Sequence, residues 1–129
     1  MKINHIALWT KDIEKLRSFY MKYFGAASTA KYVNRSKEFE SYFLSFSEGT
    51  RLEIMAMPNI PENLNNSFDQ YTGLIHLSIS VGSKEKVISL TNELRSNGFI
   101  VISEPRHTGD GYFESCVFDP DGNRIEITI

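Results

Sequence analysis

Two stretches of the chain alternate apolar and polar residues with a period of two. In residues 3–9 (INHIALW), Ile6 and Leu8 fall on one face of an extended strand, and His5, Ala7 and Trp9 fall on the other. Residues 74–81 (LIHLSISV) alternate more cleanly, with Ile75, Leu77, Ile79 and Val81 against His76, Ser78 and Ser80. A helical pattern follows each. Ile13, Leu16, Tyr20 and Tyr23 recur at helical spacing between Lys11 and Phe24, with Thr10 or Asp12 able to cap the start and Gly25 placed to end it. After Ser83, an N-cap residue, Val87, Leu90, Thr91 and Leu94 repeat the pattern before Gly98. Strand-like runs come next in both halves: 29–33, 40–47 and 51–57 in the first, 99–103, 112–118 and 124–128 in the second.

Between the halves, residues 58–73 carry Pro58, Pro61 and four Asn and read as a linker. Near the C-terminus, Asp119-Pro120-Asp121-Gly122 has the residues of a tight turn at the positions that need them, so the last two strands form a hairpin. Each half therefore reads strand, helix, then about three strands. The fold expected is α+β: one domain, 1–129, built of two paired βαβββ modules (1–57 and 74–129) forming a curved mixed sheet around a cleft. A ferredoxin-like pair of βαβ units is the structural rival, and the extra strands count against it.

The repeat aligns chemistry as well as architecture. His5 and His76 lie in the first strand of their halves, Glu53 and Glu126 in the last, 48 and 50 positions further on. Each falls on the polar face, and Glu126, between Ile125 and Ile127, would be costly to cover unless something positive met it. Taken singly, a strand histidine is ordinarily a hydrogen-bonded structural group and a strand glutamate a solvated one. A solvated face has no reason to repeat the pair. Two imidazoles and two carboxylates make an N2O2 set for a divalent metal, whose charge would offset the desolvation of Glu126. His107 falls in a Gly/Pro-flanked loop and is expected to be exposed. Cys116 reads as a small packing residue, and Tyr42, Phe43 and Phe46 as core.

Composition narrows the classes. At 129 residues, 41% of them hydrophobic, with nine Phe and six Tyr, the chain can bury a core. A formal net charge of −2 gives no footprint for nucleic acid. No apolar run approaches a membrane span, and the N-terminal stretch, interrupted by Asn4 and His5, does not read as a signal peptide. One cysteine excludes an intrachain disulfide and makes a cytoplasmic location the expectation.

With NHIAL at 4–8, RSFYMKYFG at 17–25, GLIHLSISV at 73–81 and FDPDGNRIEI at 118–127, the chain resembles the vicinal oxygen chelate superfamily. Within it, His5, Glu53, His76 and Glu126 match the His/Glu/His/Glu ligands of short bacterial glyoxalase I, the lactoylglutathione lyases. That resemblance implies a lyase or isomerase acting on a hemithioacetal or related small carbonyl adduct through an enediolate. It implies a Ni²⁺ or Co²⁺ cofactor in preference to Zn²⁺, Glu126 as the ligand that loosens to act as base with Glu53 as its near-symmetric partner, and a homodimer with sites shared between subunits. Fosfomycin-type transferases and ring-cleaving dioxygenases use two His and one Glu, epimerases typically carry Gln at the Glu53 position, and bleomycin-binding relatives lack the metal set. These are the alternatives. Two departures bear on substrate: the glutathione enzymes carry Arg where this chain has Trp9 and Asn where it has Met57. Trp9 and Met57 are therefore expected to border the substrate, with Arg106 as a candidate for an anionic group on it.

Overall fold

The computed structural model describes residues 1–129. Cα packing divides them into two compact units, Met1–Glu62 and Asn63–Ile129. The first contains β1 (His5–Trp9), α1 (Ile13–Phe24), β2 (Ala27–Ser28), β3 (Tyr32–Asn34), β4 (Phe39–Ser45) and β5 (Arg51–Ala56). The second contains β6 (His76–Ser80), α2 (Lys84–Ser96), β7 (Val101–His107), β8 (Phe113–Phe118) and β9 (Arg124–Thr128). The fold is α+β with two modules, each with its own hydrogen-bonded sheet: the second is βαβββ, and the first has one strand more, with both β2 and β3 on β4.

Both sheets are mixed and share one wiring. In the first, the order is β1-β5-β4-β2, with β3 also on β4; in the second it is β6-β9-β8-β7. The first strand of each unit pairs in parallel with its last, β1 with β5 and β6 with β9, while the remaining pairs are antiparallel. A parallel pair cannot be closed by a tight turn, so the chain must cross over a face of the sheet, and the helix does so.

Helix ends follow local chemistry. Asp12 caps α1 by accepting from Lys15 N, and Gly25 closes it in the left-handed region at φ 64°. Ser83 caps α2 by accepting from Lys86 N. Under α1, Leu16, Phe19 and Tyr20 pack against Leu44, Leu52 and Ile54, all buried. Tyr42 ties helix to sheet, its hydroxyl donating to Glu14 Oε1 at 2.8 Å beneath the Arg17 guanidinium. Under α2, Val87 and Leu94 cover Val117, Ile125 and Ile127, each fully buried. The opposite face of each sheet carries the alternating residues, among them His5 and Glu53 in the first and His76 and Glu126 in the second.

Three expectations change. The run 29–33 is not one strand: β2 ends at Ser28, β3 begins at Tyr32, and the register on β4 shifts by one residue between Ser28↔Leu44 and Tyr32↔Ser41. β7 reaches His107, through a segment that reads as loop in sequence. Pro105 is tolerated because β7 is an edge strand with bulges on either side of Ser103. Phe43 lies on the sheet face away from α1, its ring edge-to-face with His5 at 5.3 Å, while Tyr42 points the other way into the core.

The turn at Asp119 closes as its residues dictate. Gly122 N donates to Asp119 O, Gly122 takes φ 78°, and the Asp119 carboxylate accepts from Asp121 N, Asn123 N and Asn123 Nδ2, each at 2.9 Å. Burial pushes the Asp119 carboxyl up, and these donors oppose it.

One buried polar contact sits inside the second core. Thr91 Oγ1 donates to Val87 O at 2.6 Å, so the Ser115 hydroxyl, 2.6 Å away, must donate to Thr91. Thr91→Val should cost about 1–3 kcal/mol, because Ser115 is left buried without an acceptor. Urea unfolding should show the loss, and the Thr91→Val/Ser115→Ala double variant should recover part of it. An unchanged midpoint for the single variant would mean that Ser115 has another partner.

Candidate metal centre

The same strand geometry places one histidine and one glutamate in each unit. Register in β1–β5 sets His5 opposite Arg51 and Ala7 opposite Glu53. In β6–β9 it sets His76 opposite Arg124 and Ser78 opposite Glu126. The glutamate lies two residues beyond the arginine that faces the histidine, so imidazole and carboxylate meet on the diagonal. His5 Nε2 is 3.6 Å from Glu53 Oε2, and His76 Nε2 is 3.3 Å from Glu126 Oε2. The histidine side chains are 40% and 42% exposed and the glutamates 15% and 23%. The imidazoles therefore reach solvent while the carboxylates are largely covered. Neither unit alone gathers three His, Cys, Asp or Glu side chains; each holds one histidine and one glutamate of the four expected ligands.

In the first unit the hydrogen bonds settle which nitrogen of His5 faces the carboxylate. Arg51 Nη2 donates to Asn4 Oδ1 at 2.7 Å, and because arginine only donates, the oxygen of that amide is fixed there. The same oxygen lies 3.0 Å from His5 Nδ1, which must then carry the proton. Nε2 is then the nitrogen turned toward the Glu53 carboxylate, 3.6 Å away. The neutral ring offers a lone pair there, which a cation between the two groups would suit, and the protonated ring offers a donor that pairs with the carboxylate directly. The Arg51 guanidinium also lies 4.5 Å from the Phe43 ring centroid, and Phe43 in turn packs on His5.

Burial pushes the Glu126 carboxyl above its usual range, opposed by His76 and Arg106 and helped by Glu114 and Asp110. Its neighbour across the ladder is Cys116, whose thiol burial pushes up to about 11, with the Glu126 charge adding to the effect. Such a thiol stays protonated near neutrality and is a poor nucleophile.

Trp9, 39% exposed, packs edge-to-face on Phe39 at 6.1 Å and follows His5 and Ala7 on the same strand face. Met57 comes just after β5 and, with Thr10, Lys11, Glu40 and Asn59, lines an open cleft of about 360 Å³. Arg106 lies in β7, its Nη1 3.6 Å from Glu114 Oε1. His107, expected in a loop, ends β7 with Nε2 3.0 Å from Lys84 Nζ and its ring against Phe113.

Sequence reasoning passed over Arg51 and Arg124. The signal was present: Arg51-Leu52-Glu53 and Arg124-Ile125-Glu126 repeat the same three-residue pattern, but only the ladder register shows each arginine beside a histidine.

Comparison with known sequences decides the family. Residues 2–127 match the Glyoxalase/Bleomycin resistance protein/Dioxygenase superfamily. The chain belongs to it. The uncharacterized protein YwkD of Bacillus subtilis (strain 168) is 28% identical over 97% of this chain and 94% of its own. A trivalent organoarsenical cleaving enzyme of Bacillus sp. (strain MD1) is 29% identical over 98% of this chain and 72% of its own. Among solved structures, SMU.1112c has a TM-score of 0.82 at 25% identity, over 100% of this chain and 98% of its own. Glyoxalase I from Zea mays has a TM-score of 0.79 at 21% identity; the match covers 98% of this chain but only 44% of the maize chain, and it speaks to the fold. Superfamily members typically use divalent metals, and the half-site of His5 and Glu53, with its ligand nitrogen already turned outward by Asn4, suits one. As for the membrane, no helix is long and apolar enough to cross one.

The arginine–asparagine relay predicts an outcome of its own. Arg51→Met or Asn4→Ala should weaken divalent-metal affinity by about 10–100-fold, the range for lost outer-shell support. Asn4→Asp, which keeps the acceptor, should stay near wild type. Competition titration with a chromophoric chelator measures all three, and equal affinity across the series would show that the relay does not orient His5.

Proposed function

We propose that this protein is a metal-dependent isomerase or lyase of the glyoxalase I type, acting on a hemithioacetal or related small carbonyl adduct. The observation that carries the reading is the duplicated pair: Glu53 stands to His5 as Glu126 stands to His76, at 3.6 and 3.3 Å. A three-ligand site would not need the carboxylate of Glu53.

A divalent cation, Ni²⁺ or Co²⁺ in preference to Zn²⁺, would be held by His5, Glu53, His76 and Glu126 and would stabilise negative charge developing on adjacent substrate oxygens. Glu126 takes a proton from one carbon of the adduct and returns it to the neighbouring carbon. One C–H bond breaks and another forms, and the hydroxyl proton of the adduct passes to the former carbonyl oxygen by way of the enediol, so atoms balance and no outside oxidant or reductant is required. Glu53 anchors the opposite side and can exchange roles with Glu126. Asn4 and Arg51 hold His5 so that its Nε2 stays available. Trp9 and Met57 offer an indole and a thioether, which favours the adduct of a small thiol over that of a polar tripeptide.

The similarity to a trivalent organoarsenical cleaving enzyme supports a second reading, cleavage of a carbon–arsenic bond. Trivalent arsenic is a soft centre that favours thiolates. This chain has one cysteine, with a weakly acidic thiol, and that leaves the isomerase reading ahead.

Metal-reconstituted protein should isomerise methylglyoxal hemithioacetals, followed by thioester absorbance, and activity should vanish on chelation. Glu126→Gln should lower kcat by about 10²–10⁴-fold, the usual contribution of a positioned base. Cleavage of a trivalent aryl arsenical without isomerase activity would favour the second reading instead.

Because each unit holds half of the ligands, we further propose a homodimer in which His5 and Glu53 of one subunit face His76 and Glu126 of the other. Two equivalent sites then form by C2 symmetry. Mixing inactive His5→Ala and His76→Ala chains should recover about a quarter of wild-type activity, since half of the dimers are mixed and each carries one intact site. No recovery after confirmed subunit exchange would mean that the sites close within one chain.

A further inference from the structure

In the first unit Arg51 uses its guanidinium to hold Asn4 and, through it, His5. The second unit repeats the arginine but not the asparagine, since Ile75 precedes His76. Arg124 is thus released from that task, yet it is only 6% exposed. Its guanidinium carbon lies 5.5 Å from the Phe118 ring centroid, and its Nη2 donates to the carbonyl of Asn66. Its Nη1 is buried with no hydrogen-bond partner. A cationic N–H enclosed without an acceptor is costly, and a fold keeps such a group where something else comes to meet it. Arg124 stands directly opposite His76 and two residues before Glu126 on the same face of the sheet.

The geometry points to Arg124 as the anion subsite of this centre, receiving a carboxylate on the substrate or product. The assignment rests on the reading of His76 and Glu126 as half of a metal site. Asn66 gives the guanidinium one neutral acceptor, whereas a carboxylate gives its planar fork two charged ones. Arg106, the arginine of β7, already has Glu114.

Access requires the segment around Asn66 to lift, and the segment is built to do so. Asn66 Oδ1 accepts from Phe68 N and Asp69 N, and Asn65 Oδ1 from Tyr71 N, so short-range polar turns keep its shape. Leu64, Phe68 and Tyr71 are 70%, 92% and 53% exposed, so little apolar burial holds it down. The contact from Arg124 is its tie to β9, and a carboxylate would compete for that same guanidinium.

Two measurements test this. Metal-loaded wild type, Arg124→Lys and Arg124→Met are compared on methylglyoxal hemithioacetals of mercaptoacetate and 2-mercaptoethanol, which differ in the carboxylate. Wild type should favour the mercaptoacetate adduct by about 10-fold or more in kcat/KM, the scale of a charge-assisted hydrogen bond. Arg124→Met should erase the preference through KM, with Arg124→Lys between them. No preference in wild type, or equal losses for both adducts in correctly folded variants, would overturn the subsite. Independently of turnover, metal-free protein is titrated with glycolate, and with ethylene glycol as the neutral control, while arginine Nε–H resonances are followed by NMR. One arginine signal should move with glycolate alone and be missing in Arg124→Met. If that shift occurs without isomerase activity, the subsite stands and the isomerase reading fails; if no arginine signal moves, the subsite itself is wrong.

Discussion

Parallel pairing of the first and last strands of each unit is the constraint on which the rest depends. It forces a crossover, the crossover is a helix, and the helix must bury its apolar stripe on one face of the sheet. Leu52, Ile54, Ile125 and Ile127 take that face and are almost entirely buried. The strand period of two then sends Glu53 and Glu126 to the other face, where the same pairing brings a histidine within 3.3–3.6 Å. Core packing and placement of the candidate ligands are one event: a one-residue slip in β5 or β9 would bury the glutamates beneath the helix and expose the isoleucines.

In the second pair the placement has an electrostatic cost. Covering a carboxylate from water disfavours its charge, and the upward push on Glu126 is that effect. His76, beside it, opposes that push. In the first unit Arg51 and Asn4 orient His5 so that its Nε2 faces Glu53. An imidazole nitrogen and a carboxylate oxygen held this way would suit a divalent cation between them, which is the arrangement that the proposed centre uses.

The two units also differ where their sequences diverge. Arg51 supports a ligand, while Arg124, without an asparagine to hold, is covered by the segment around Asn66. The same scaffold thus leaves one arginine committed to structure and the other with a donor to spare. Within a repeat, that kind of asymmetry is where substrate recognition can be added without disturbing the ligands.

Periodicity and turn chemistry alone determined the modules, the helix cap at Ser83, the Asp119–Gly122 turn and the face on which each of the four candidate ligands lies, and narrowed the cap of α1 to Thr10 or Asp12. These are local properties, dictated by side-chain alternation and by backbone angles that few residues adopt. Tertiary structure decided what depends on neighbours distant in sequence. The strand β7 runs on through Pro105 because it lies at a sheet edge; Phe43 joins His5 instead of the core because β4 presents Tyr42 to the helix. Arg51 and Arg124 acquire their roles only when ladder register sets each beside a histidine. An arginine reads as surface charge in sequence, since its value depends on which acceptors reach it, and for Arg124 the folded chain supplies only one.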